Sequence, residues 1–151
     1  MKFKLFIGVL LILSQGISFA AGNTDMKLMI DAMEKDNPEQ FKSVLKDFIS
    51  AAKSDDIKKM IELTSNVTKN KMGIAALESY FKNDAARAIR ACKSISKGGE
   101  VIRIKKEQTG TGSGWVYRKI CKFSEDKSVK FQFIILNESG HIALTSVSVI
   151  P

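Results

Sequence analysis

The chain predicts an α+β fold, with N-terminal helices packed on a curved four-stranded antiparallel meander sheet. Three observations lead there. Residues 24–96 carry apolar side chains three or four apart, the period of a helix. After Gly99 the period drops to two over four runs, 100–107, 114–123, 129–136 and 141–150, rich in Val, Ile, Phe, Tyr and Thr. The turns between these runs are short and built from Gly, Ser, Asp and Asn, so neighbouring strands run antiparallel. Helices first and strands second segregate the helices to one face of the sheet.

Residues 1–20 read as an export signal. Lys2 and Lys4 precede the apolar run "LFIGVLLIL", and "SQGISFA" brings small residues to Ser18 and Ala20, with Ala21 next. The run falls short of the about 20 residues that span a bilayer. The expected product is a mature chain of about 130 residues, the size of one domain, in the periplasm or secreted. No membrane span is expected after cleavage. Residues 21–36 form an N-terminal extension or a short helix capped by Thr24, with Met26, Met29 and Met33 on one stripe. That stripe has the spacing of core packing rather than of a copper site.

The single domain spans 37–151. In "NPEQFKSVLKDFISAAK", Asn37 is the N-cap, Pro38 the first helical residue, and Gln40 lies three after the cap. Phe41, Val44, Leu45, Phe48, Ile49 and Ala52 follow at helical spacing. Ser54, Asp55 and Asp56 start a second short helix through Ile57, Met60 and Ile61. A polar stretch, "TSNVTKNKMG", leads to a longer helix whose stripe runs from Ile74 through Leu77, Tyr80, Phe81, Ala85, Ala88, Ile89 and Cys92 to Ile95. Asn83-Asp84 is a candidate break in it, and Gly98-Gly99 its end. On the strands, alternation puts Trp115, Tyr117, Cys121 and Phe123 on one face, and Val129, Phe131, Phe133 and Ile135 on the same inner side. Lys130 and Gln132 then face away. Cys92 and Cys121, the two cysteines of the chain, would meet between helix and sheet as a disulfide, the usual fate of two thiols after export.

A helical half, "FKSVLKDFISAAKSDDIKKMIELTS" then "GIAALESYFKND", feeding the long strands "GWVYRKICKF" and "VKFQFIIL", resembles the nuclear transport factor two-like superfamily. The resemblance covers roughly 37–150. It implies a cone with a pocket between sheet and helices. The superfamily holds isomerases, cyclases, dehydratases and proteins without catalysis, so the fold alone does not name a function.

Chemistry-bearing residues are few. Tyr80, Asp84, Tyr117 and His141 are the candidates for catalysis. His141, the sole histidine, follows "NESG" and reads as the first residue of a strand. No Gly-x-Ser-x-Gly elbow is present, and "TGTGSG" joins two strands instead of opening a helix, so it is no phosphate cradle. No metal site or cofactor is expected, because two cysteines and one histidine fall short of a tetrahedral set. The net charge is +8, with twelve Lys/Arg against four Asp/Glu over 87–130. Arg103, Lys105, Arg118, Lys122 and Lys130 are expected on an outward basic face suited to an anionic partner. Nucleic acid is not expected, since no stacking aromatics interleave these charges. An exposed sheet face also admits a homodimer. The expectation is a non-catalytic binding or accessory protein for a partner or small ligand. A small-pocket isomerase or hydrolase is the runner-up, and an inhibitor or immunity protein of an exported enzyme is the third reading.

Overall fold

A computed structural model describes residues 37–150 of the chain. The export signal, the segment 21–36 and its methionine stripe lie outside the described residues. Helix α1, Pro38–Lys53, begins as expected: the Asn37 side chain accepts from the Glu39 amide at 3.0 Å. Helix α2, Ile57–Glu62, is capped by Asp56, whose carboxylate takes the Lys59 amide at 2.9 Å. The polar stretch that follows, to which the sequence assigned no helix, is itself helical. Residues Asn66–Met72 form a helix, α3, with Ser65 as its N-cap, and Gly73 ends it at φ 80°.

Helix α4, Ile74–Tyr80, continues without leaving helical dihedrals into a π turn, Phe81–Ala85, and then α5, Ala86–Ala91. The Asn83-Asp84 pair therefore does not break the helix. It lies in a widened turn instead, and Ala85 and Ala86 at the end of that turn are both buried. The helix also stops earlier than expected. Cys92 is extended, and Ile95 belongs to a two-residue strand, β1, Ser94–Ile95.

Strand β2 is Glu100–Ile104, followed by a helical turn, α6, Lys106–Thr109; then come β3, Ser113–Lys122, β4, Ser128–Glu138, and β5, His141–Ile150. All pairings between these strands are antiparallel. β1 and β2 pair successive parts of the same edge of β3, so the sheet runs from them through β3 and β4 to β5. The expected four-stranded meander is present, with β1 added. The last expected residues of the first run, 105–107, leave it for α6 because the Lys105 amide donates to Gln108 Oε1 at 2.8 Å and starts a turn.

The helices cover the face predicted from alternation. Tyr117, Cys121, Phe131, Phe133 and Ile135 are buried there against Phe41, Leu45, Phe48, Phe81 and Ile89. Phe48 is the hinge of this packing, edge-on to Phe81 at 5.5 Å and to Phe133 at 6.3 Å between ring centres. Cys92 and Cys121 form a disulfide with their Cα atoms 5.4 Å apart, tying the end of α5 to the inner face of β3. The sheet's far edge carries a bulge. Ile134 pairs with Ser146 but Ile135 with Leu144, leaving Thr145 extra. That insertion lets Leu144 and Val147 both reach the core.

Candidate functional site

β5 is an edge strand, and unpaired edge carbonyls need partners. Helix α3 with its cap, and helix α4, supply them. The Ser65 amide donates to Leu144 O at 2.7 Å, Thr68 Oγ1 to Thr145 O at 3.0 Å, and the Tyr80 hydroxyl to Val147 O at 2.8 Å. The chain before α3 thus meets the strand backbone to backbone at Leu144, whereas α3 and α4 reach it through the Thr68 and Tyr80 side chains, and space remains on both sides of Tyr80.

The larger space is a cleft of about 400 Å³ between the helix and the edge of β5. Ala85, Ala88, Phe131 and Val147 supply apolar walls, and the π turn brings Asn83 and Asp84 to its rim, with Arg87 one turn on. The smaller, more enclosed space measures about 170 Å³ and is bounded by Thr68, Met72, Leu77, Phe81, Leu144 and Thr145. Tyr80 and Val147 line both cavities, so the hydrogen bond between them is part of the partition. In the smaller one the Thr145 hydroxyl is buried and has no hydrogen-bond partner among the described residues. A buried hydroxyl left so costs about 1–3 kcal/mol.

The structure brings two of the four catalytic candidates together. Tyr80 and Asp84 share the larger cleft. Burial raises the pKa of the Tyr80 phenol, and the nearby Asp84 carboxylate raises it further, so the group stays protonated and donating. Tyr117 lies elsewhere, fully buried beneath α1, with its hydroxyl donating to Pro38 O at 2.6 Å. Its pKa too is raised, by burial first and then by Glu39. His141 is the exposed first residue of β5, paired across the hairpin with Glu138. The turn between them needs positive φ at Ser139 (54°) and Gly140 (91°), and the Gly140 amide is held by Asn137 Oδ1 at 2.8 Å. His141 lines neither cavity.

The expected basic face divides. Arg118, Lys122 and Lys130 are on the outward side, in register with Gln132, Ser128 and Ile120 respectively. Arg118 is engaged there by Glu100 Oε2 at 2.8 Å and Gln132 Oε1 at 3.1 Å. Arg103 instead pairs in register with Trp115, which puts it on the side of Tyr117, and Lys105 lies past the end of β2. The outward face is also less polar than expected, with Ile102, Val116 and Ile120 among its charges. Among the described residues no cluster of three or more His, Cys, Asp or Glu side chains is placed to hold a metal ion, and no helix is long and apolar enough to cross a membrane.

Sequence reasoning missed Arg87, Thr68 and Thr145 as site residues. Thr145 sits in the bulge and Arg87 follows the π turn, and neither irregularity has a periodic signature. No family model matches the chain, and neither a curated protein nor a solved structure matches it.

Proposed function

We propose that the chain is an exported binding protein, periplasmic or secreted, that holds a small amphipathic ligand beside Tyr80 and performs no reaction on it. The single observation that carries the reading is the pair of cavities divided by the Tyr80–Val147 hydrogen bond. Ligand sites are typically concave, mostly apolar and supplied with a few placed polar groups. Here the apolar walls suit a short hydrocarbon or aromatic body, and Asn83 and Arg87 at the larger cleft suit one hydrogen-bonding or anionic group. Both tyrosine hydroxyls are committed to backbone carbonyls, which favours binding over catalysis. Helices leading into a curled sheet support membership of the nuclear transport factor two-like superfamily. The signal pattern of residues 1–20 and the disulfide support export.

An amide-shift titration with a panel of short-chain alcohols, phenols and carboxylates tests the site. Saturable shifts at Tyr80, Asp84, Thr145 and Val147, abolished by Ala88→Trp, are expected. Shifts that are absent from these residues, or that survive Ala88→Trp, would reject it. Cell fractionation with N-terminal sequencing tests export, the expected mature start being near Ala21.

A second reading, a small-pocket isomerase or hydrolase, draws on Tyr80 and Asp84 sharing one cleft. It requires Asp84→Asn to abolish a turnover while ligand binding persists. The binding reading expects Asp84→Asn to alter affinity alone.

A further inference from the structure

Beside α1 lies a groove of about 330 Å³ that shares no lining residue with the Tyr80 cavities. Five lysines line it: Lys42, Lys46 and Lys53 from α1, Lys97 from the loop after β1, and Lys119 from β3. The α1 lysines recur at four and seven residues, the spacing of one helix face. Leu45 and Ile49 lie between them and, with Ile95, form an apolar floor. Among the described residues no carboxylate lines the groove. Lys42 pairs with Glu39 at the exposed start of α1.

Lys119 is the anomaly. It occupies an inward position on β3, between the buried Tyr117 and Cys121 and in register with Phe131, where alternation calls for an apolar side chain. Its ammonium turns aside to donate to Lys97 O at 2.7 Å and Gly98 O at 3.0 Å. An ammonium has three donors, so one is left for a further acceptor. Burial, and then the charge of Lys42, lower its pKa, the direction expected of a cation held near like charge without a counter-ion.

We propose that this groove is a binding site for a multiply charged phosphate group, either free or at the head of an amphiphile. Lysines bind phosphate as point charges converging from several directions, and here they come from three separate segments. A singly charged carboxylate would leave most of that charge unmatched, whereas a diphosphate or phosphomonoester would not. The floor of Leu45, Ile49 and Ile95 would accept the first carbons of an amphiphile. The site is independent of the Tyr80 cavities and of the outward strand charges.

The test is an amide-shift titration of the full chain, disulfide intact, with inorganic pyrophosphate. Saturable shifts at Ser96, Lys97 and Lys119 are expected. The double substitution Lys46→Gln with Lys53→Gln removes two exposed charges and should weaken binding about tenfold or more. A matched loss of charge on the outward sheet face, Lys122→Gln with Lys130→Gln, should change affinity by less than about twofold. No saturable shift at the groove, or equal weakening by the two double variants, overturns the proposal. Sedimentation with phosphatidylcholine vesicles, with and without phosphatidic acid, then assigns the source. Co-sedimentation that needs phosphatidic acid and Lys46 and Lys53 indicates an amphiphile head. Pyrophosphate binding without co-sedimentation indicates a free phosphate compound.

Discussion

Tyr80 and Tyr117 show how a residue's role depends on what its last atom touches. Both rings were legible as inward-facing, but the hydroxyl partners, Val147 O and Pro38 O, lie 67 and 79 residues away in sequence and carry no local signal. Because burial raises both phenols above their ordinary value, the folded state keeps protons that the unfolded chain releases. The contribution to stability is complete below about pH 10, the unfolded value, and is lost as pH rises from there toward the folded value. Tyr117→Phe should therefore lower stability at neutral pH by about 1 kcal/mol. It should also make the loss of stability above pH 10 shallower than in the wild type, as read by denaturant titration at several pH values. His141 is the opposite case. Its place after "NESG" was readable because a two-residue turn with positive φ demands such residues, and the structure puts it there, exposed. His141→Ala should leave both the denaturation midpoint and any ligand affinity unchanged, and a loss of either would return it to the candidates.

At the scale of elements, legibility followed the burial of a stripe. α1 was readable from end to end because five of its residues are buried and its cap is local. α3 was missed because none of its residues is buried, so it has no apolar period to detect. Its signal was the cap alone: Ser65 Oγ accepts the Thr68 amide at 3.1 Å. Ser65→Ala should cost about 1–2 kcal/mol and, by loosening α3, reduce amide protection from Lys69 to Gly73. Unchanged hydrogen exchange there would mean that β5, through the Leu144 contact, holds this segment without the cap. Ile95 misled for a related reason. A half-buried isoleucine satisfies a helical stripe and a strand equally, and only its pairing with Cys121 decides between them.

For the whole molecule, stability rests on joining a helical layer to a sheet layer at a few points. Phe48 contacts aromatic rings from both layers, so Phe48→Ala should cost about 3–5 kcal/mol in chemical denaturation. Lys130→Ala, on the outward face, should leave the midpoint in place, and equal shifts for the two would contradict the assignment of faces. The Cys92–Cys121 bond closes a loop of sequence separation 29 at the junction of the layers. Reducing it should cost about 3–4 kcal/mol in the chain-entropy model, checked by denaturation of the oxidised and reduced chain. Intact mass before and after alkylation reports which form is present.

The amino-acid order by itself determined the α+β class, the inner face of β3 and β4, the pairing of the two cysteines and the place of His141. Each of these depends on a period, a turn or a parity that neighbouring residues express locally. Tertiary structure alone decided the two cavities beside Tyr80 and the lysine groove. The cavities are lined from a π turn in the helix and from a bulged edge strand, and both features are single-residue departures from a period. The groove exists because Lys119, unremarkable as one lysine among many, falls on an inward register position facing a lysine stripe more than sixty residues earlier in the chain. Such convergence follows from strand pairing and helix packing, which no local pattern records.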